Sequence, residues 1–120
     1  MNEKLRKMLE ARRAAPPPPP LDIVRRFLHY YVHDSDWELL ERDVRGMLHV
    51  NPKVIVEAVI AIEHVIATPQ PPGSLSRLVA YEGNWMLDDE SDTAAMAWFR
   101  ELVSRLRDWL GEHAPPPRAP

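Results

Sequence analysis

The stretch Asn51-Pro52-Lys53-Val54-Ile55-Val56-Glu57-Ala58-Val59-Ile60-Ala61-Ile62-Glu63-His64-Val65-Ile66-Ala67 decides the fold. It is crowded with β-branched residues, a composition that on its own suits a strand as well as a helix. Length and the opening dipeptide separate the two. Strands usually stop at about eight residues, and this run continues without a break from Pro52 to Ala67. Asn is a favoured helix cap, and Pro is favoured at the first helical position, where its missing N–H has no partner to lose. The segment reads as a helix. Its apolar residues fall on nearly every side, so it is expected to be the central helix, packed by neighbours on more than one face.

Working outward, the period stays close to 3.6 residues. Ser35 with Glu38 three later forms a capping box, which predicts a helix from Asp36 with Trp37, Leu40, Val44 and Met47/Leu48 on its buried face. Gly46 inside it marks either close packing or an early end, because Gly costs a helix interior roughly 1 kcal/mol relative to Ala. Asp22 is the expected cap of an earlier helix, Ile23 to His33, that buries Val24, Phe27, Leu28 and Tyr31. Beyond the central helix, Pro69, Pro71, Pro72 and Gly73 form a rigid turn, and Ser74 caps a short helix to about Tyr81 that Gly83 ends. Residues Asn84 to Asp92 read as a loop. A last helix, Thr93 to Leu110, carries Ala95, Trp98, Phe99, Leu102, Val103, Leu106, Trp109 and Leu110, with Gly111 as its C-cap. The fold class is all-α: a compact antiparallel bundle of about four long helices plus one short helix, around Val59, Ile62, Trp98, Leu102 and Leu106. Trp37, Trp98 and Trp109 lie in phase with apolar stripes and are assigned to the core.

The termini are proline-rich. Nine of the 13 prolines in 120 residues lie at the edges, at Pro16 to Pro20, Pro115 to Pro117 and Pro120. This divides the chain into an extension (1–20), one helical domain (21–113) and a tail (114–120). Asn2 to Ala15 is rich in helix formers, with Leu5, Met8 and Leu9 at i, i+3, i+4. A helix this short needs a tertiary partner, so it either docks on the domain or is a mobile tail. The five prolines after it favour an extended polyproline II spacer.

Composition excludes several classes. There is no cysteine, hence no disulfide scaffold, thiol nucleophile or Cys-ligated metal centre. No apolar run is long enough to span a membrane and the charged start lacks a signal-peptide core, so a cytoplasmic location is expected. The net charge of -3 is unevenly spread. Residues 1–33 carry seven bases and three acids (+4), residues 34–92 carry four bases and twelve acids (-8), and the remainder is +1. An acidic middle disfavours direct nucleic-acid binding, which runs on Lys/Arg neutralising phosphates, and suits the steering of a basic protein partner. It also suits plain solubility.

No catalytic constellation assembles from the sequence. The four glycines, at 46, 73, 83 and 111, form no phosphate-binding loop. His29 and His33 have the i, i+4 spacing of a metalloprotease helix, but the position of the general base is Tyr30. A metal site with Asp34 or Asp36 can be sketched; structural histidines are the simpler reading, and no metal or cofactor is expected. Ribonucleases of the HEPN type use an arginine, four to six intervening residues and then a histidine, a pattern met by Arg42…His49, Arg26…His33 and Arg107…His113. Twelve arginines and five histidines in 120 positions produce between one and two such pairs by chance. A non-enzyme is expected, with this ribonuclease as an alternative. Asp88, Asp89, Glu90 and Asp92 lack the alternating frame of a calcium loop. They favour the start of the following helix through its dipole, or rim an aromatic anchor at an interface. Trp85 beside them is either that anchor or a core plug.

The segment Phe27-Leu28-His29-Tyr30-Tyr31-Val32-His33-Asp34-Ser35-Asp36-Trp37-Glu38 resembles the opening of the CdiI-type immunity proteins of bacterial contact-dependent growth inhibition systems. These share an aromatic first helix, a Tyr-x-His step, here Tyr31-Val32-His33, and an Asp-Trp pair opening the second helix, here Asp36-Trp37. The general layout extends over about Leu21 to Leu110. One extra residue separates His33 from the Asp-Trp pair, and Tyr81 to Trp85 follows the family only loosely. The resemblance implies a protein that binds a cognate toxin domain, often a nuclease, and blocks its active or substrate site. Combined with the acidic middle, it places the toxin-binding surface at Asp34, Glu41, Trp85, Asp88, Asp89, Glu90 and Asp92, with a basic nuclease domain as partner. A helical adaptor for another protein is the alternative, and the long apolar helices leave a homodimer open.

Overall fold

A computed structural model of the chain describes residues 2–7 and 18–113, and every regular element among them is helical. Helix α1 spans Pro20–Phe27 and widens into a π-turn, Leu28–Val32; α2 is Trp37–Val50 and α3 is Pro52–Ala67. The short α4, Ser74–Arg77, also runs on into a π-turn, Leu78–Glu82, and α5 is Asp92–His113. Residues 3–7 form a helical turn on which Leu5 is half exposed. Met8, Leu9, Pro16, Pro17 and residues 114–120 lie outside the described residues.

The deciding segment is a helix with the expected bounds. Asn51 caps it by accepting a hydrogen bond from the Lys53 N–H, and a single residue thereby reverses the chain between α2 and α3. Trp37 of α2 lies against Trp98 of α5, and Arg45 meets Glu112 further along both helices. Ascending numbers pair, so α2 and α5 run in the same direction and α3 runs against both. Helix α3 contacts α1, α2 and α5 and buries Ile55, Ala58, Val59, Ala61, Ile62 and Val65. It is not covered all round, however. Val56 and Ile60, four apart, remain exposed because the short helix α4 packs on α5 and leaves this strip open.

The expected centre, Val59, Ile62, Trp98, Leu102 and Leu106, is buried throughout. Trp109 is buried as well, and Trp37 and Tyr31 are half-buried against the core. No polar or charged residue is buried among the described residues. Burial of apolar area at roughly 25 cal/mol per Å² is therefore the main stabilising term.

Five local expectations are corrected. Gly73, at φ 83°, and not Ser74 precedes α4 as its cap; Ser74 is the first helical residue and its hydroxyl donates to the Pro71 carbonyl. Asp36, not Ser35, caps α2: its Oδ1 accepts the Leu39 N–H at 2.8 Å, while the Ser35 hydroxyl donates to the Asp36 carbonyl. Two cap-forming residues stand in succession, and the charged acceptor takes the position. Helix α1 starts at Pro20, earlier than Asp22 predicts, because Pro at the first helical position is already set for the helix. Pro19 before it has φ -56° and ψ 146°, the polyproline II geometry expected of the spacer. Gly46 marks neither packing nor an end: α2 continues to Val50, and no neighbouring atom lies within 4 Å of a Cβ built there. Gly111 lies inside α5, whose last turn is held by Glu112 on Arg45 and by His113 against His49.

The two π-turns position everything that follows. Each closes through an i to i-5 hydrogen bond, from the His33 N–H to the Leu28 carbonyl and from the Gly83 N–H to the Leu78 carbonyl. They pack on each other at Gly83, where a Cβ would stand 3.3 Å from Val32 Cγ1. Immediately after each turn the backbone enters the left-handed region, at Asp34 (φ 56°) and Asn84 (φ 44°). Asn84 Nδ2 donates to Asp34 Oδ1 at 2.6 Å, which ties the two exits together.

Candidate functional site

The segment from Gly83 to Asp92 leaves the second π-turn, crosses the end of the bundle and enters α5. Its base is fixed by the Trp85 N–H, which donates to the Val79 carbonyl at 3.0 Å. The Trp85 ring turns inward against Trp37 and Trp98, with ring centres 4.8 and 5.5 Å away, and the Arg105 guanidinium lies 4.3 Å from the Trp37 ring centre. The indole N–H of Trp98 is buried in this cluster and has no hydrogen-bond partner among the described residues. Three tryptophans thus close the end of the core.

Trp85 remains half-buried, and its outer side lines a 290 Å³ cleft with Ala80, Tyr81, Met86, Leu87 and Glu90. One side chain therefore both plugs the core and lines the cleft. The large apolar groups that reach solvent here are Tyr81, 77% exposed, and Met86, 92% exposed. Neither stood out in the sequence. Tyr81 falls off the Leu75, Leu78, Val79 stripe, and Met86 is a large apolar residue within an acidic loop; these were the available signals. Asp88, Asp89 and Glu90 follow as an exposed acidic rim.

The other expected site residues are used differently. Asp92, at the start of α5, turns its carboxylate onto α4: Oδ2 accepts the Gly73 N–H at 2.6 Å and Oδ1 accepts the Ser76 N–H at 3.1 Å. These two backbone donors hold its carboxyl below the usual carboxylate range. Asp92 is thus a clamp between α5 and the start of α4, and it is occupied. Asp34 stands at the base of the loop through Asn84, with its Oδ2 3.2 Å from His33 Nδ1. Glu41 lies one helical turn beyond Trp37 on α2 and is engaged by Arg45, which also holds Glu112.

The ribonuclease pattern gathers two of its histidines but not its cations. His49 and His113 meet edge to face, with ring centres 5.1 Å apart. Arg42 is paired with Asp43 and Arg107 with Glu63, so the guanidinium groups that a phosphate would need are engaged by carboxylates. No three potential metal ligands converge among the described residues. A second groove, of 450 Å³, lies between α1 and α3 and is lined by Ile23, Phe27, Tyr30, Tyr31, Val54 and Ala58. Burial, followed by the charge of Asp43, pushes the Tyr31 hydroxyl pKa up, so it is a neutral phenol at physiological pH. No described helix is long and apolar enough to cross a membrane. No family model, curated protein or solved structure matches the chain.

Proposed function

We propose that this chain is a protein-binding module that captures a basic partner, and specifically an immunity protein that occludes a nuclease toxin domain. The observation that carries the reading is the surface at Tyr81 and Met86. Two exposed apolar side chains flank a cleft backed by Trp85 and lined also by Glu90 and Arg77, and Asp88 and Asp89 are exposed just before Glu90 in the same loop. An apolar anchor inside a charged rim is the arrangement by which interfaces divide affinity from encounter rate. Met is suited to such a surface because its unbranched, polarisable side chain adapts to the partner's shape. The rigid backing of Trp37, Trp85 and Trp98 limits the ordering cost of binding. The toxin as partner rests on the resemblance at Tyr31 to Trp37 and on the -8 balance of residues 34–92.

The test is to mix the purified chain with any basic nuclease domain encoded beside it and to measure both complex formation and nucleic-acid cleavage. The expected result is a stoichiometric complex in which cleavage stops. A basic neighbour that is neither bound nor inhibited contradicts the immunity reading.

A further inference from the structure

We propose that His29 and His33 form a two-histidine site for a divalent late transition-metal ion, of the class of Zn²⁺ or Ni²⁺, with Asp34 as its outer-sphere partner. The two rings come from either end of the first π-turn, and their centres are 5.6 Å apart. A metal about 2.1 Å from a nitrogen of each ring lies roughly 3.2 Å from each ring centre, and a tetrahedral angle then sets the centres about 5.2 Å apart. The observed spacing is within a few tenths of an ångström of that value. Exposed side chains close the difference by small torsional changes, and both histidines are exposed.

The tautomer is the second element. Asp34 Oδ2 lies 3.2 Å from His33 Nδ1. At this distance the carboxylate charge favours the proton on Nδ1, without an aligned hydrogen bond, and leaves the Nε2 lone pair of His33 for a metal. Asp34 is itself fixed, since Asn84 Nδ2 donates to its other oxygen at 2.6 Å and the backbone holds it at φ 56°. A π-turn, a left-handed residue and a long-range hydrogen bond to Asp34 thus converge beside one imidazole, where strain and π-turns commonly accompany function. Two protein ligands leave the remaining coordination positions to water. Imidazole nitrogen selects this class of ion over Mg²⁺ or Ca²⁺. The inference does not depend on toxin binding. The other close histidine pair, His49 with His113, has matching spacing, 5.1 Å, but no carboxylate contact to either ring is found among the described residues.

The test is a titration of the untagged full-length chain with Ni²⁺ and with Zn²⁺, followed by NMR of the five histidine rings. Paramagnetic Ni²⁺ is expected to broaden His29 and His33 first, and Zn²⁺ to shift the same two signals saturably. His33→Ala should abolish that site, His49→Ala should leave it intact, and Asp34→Asn should weaken it about 10- to 100-fold. Unchanged ring spectra for His49, His64 and His113 in His33→Ala show that the fold is kept. Metal binding that survives His33→Ala, that begins at His49 and His113, or that shows no saturable change up to about 1 mM metal overturns the proposal.

Discussion

Replacing Gly83 and Gly46 by alanine should move stability in opposite directions, although both substitutions add one methyl group. At Gly83 the new Cβ would stand 2.9 Å from the Val79 carbonyl oxygen, 3.3 Å from Val32 Cγ1 and 3.7 Å from Leu28 Cδ2. The Val79 carbonyl cannot retreat freely, because it accepts the Trp85 N–H at 3.0 Å. Val32 and Leu28 are fully buried. Overpacking of this kind costs about 1–3 kcal/mol. At Gly46 nothing lies within 4 Å, the site is exposed, and the backbone is mid-helix. Alanine there gains about 1 kcal/mol from helix propensity and the reduced entropy of the unfolded chain. With a urea m-value of about 2 kcal/mol/M, Gly83→Ala should lower the midpoint by roughly 0.5–1.5 M and Gly46→Ala should raise it by about 0.5 M. Urea unfolding followed by tryptophan fluorescence reads both, since Trp37, Trp85 and Trp98 are clustered beside Gly83. A Gly83→Ala protein as stable as the wild type would refute the close packing of the two π-turns.

Truncating Leu102, fully buried among α5's core residues, to Ala should cost about 2–5 kcal/mol in chemical denaturation. Asp92→Asn should destabilise the fold at pH 7. The Asp92 carboxyl pKa is lowered in the folded state, so its contribution is present above its unfolded value of about 3.9 and is lost as pH falls through the folded value. The difference from wild type should therefore shrink below about pH 4 in pH-dependent unfolding. A chain of residues 18–113 should keep nearly the full stability, because Leu5 of the extension is exposed; a loss above about 2 kcal/mol on calorimetry would show docking of the extension.

Fold class was readable because the apolar period persisted and Asn51-Pro52 is an unambiguous helix start. Boundaries slipped where two signals competed within one or two residues, as at Ser35 and Asp36, or where tertiary contacts overrode a local breaker, as at Gly111. The π-turns at Leu28–Val32 and Leu78–Glu82 were not legible at all. Their extra residue per turn is stabilised by packing around Gly83, and nothing in local periodicity signals it. Of the candidate surface, the sequence identified the acidic loop and Trp85, since both are contiguous. It did not reveal that Asp92 is taken up by Gly73 and Ser76, or that Arg45, the i+4 partner of Glu41, also reaches Glu112 of α5. These outcomes depend on which helix packs against which, as does the exposure of Tyr81 and Met86.

The most direct test of the account is the kinetics of binding, at about 50 and 300 mM salt, to a basic toxin domain encoded next to the chain, as the proposed function requires. Wild type is compared with Met86→Ala and with the triple neutralisation Asp88→Asn, Asp89→Asn, Glu90→Gln. The rim charges act at long range and are screened over a Debye length of about 10 Å at 0.1 M salt. The triple variant should therefore associate more slowly and lose most of its salt dependence, with little change in dissociation. Met86→Ala should instead speed dissociation and weaken binding by 1 kcal/mol or more, roughly tenfold at 1.4 kcal/mol. Association indifferent to both salt and the triple neutralisation, together with dissociation indifferent to Met86→Ala, would contradict the claim that this surface binds the partner.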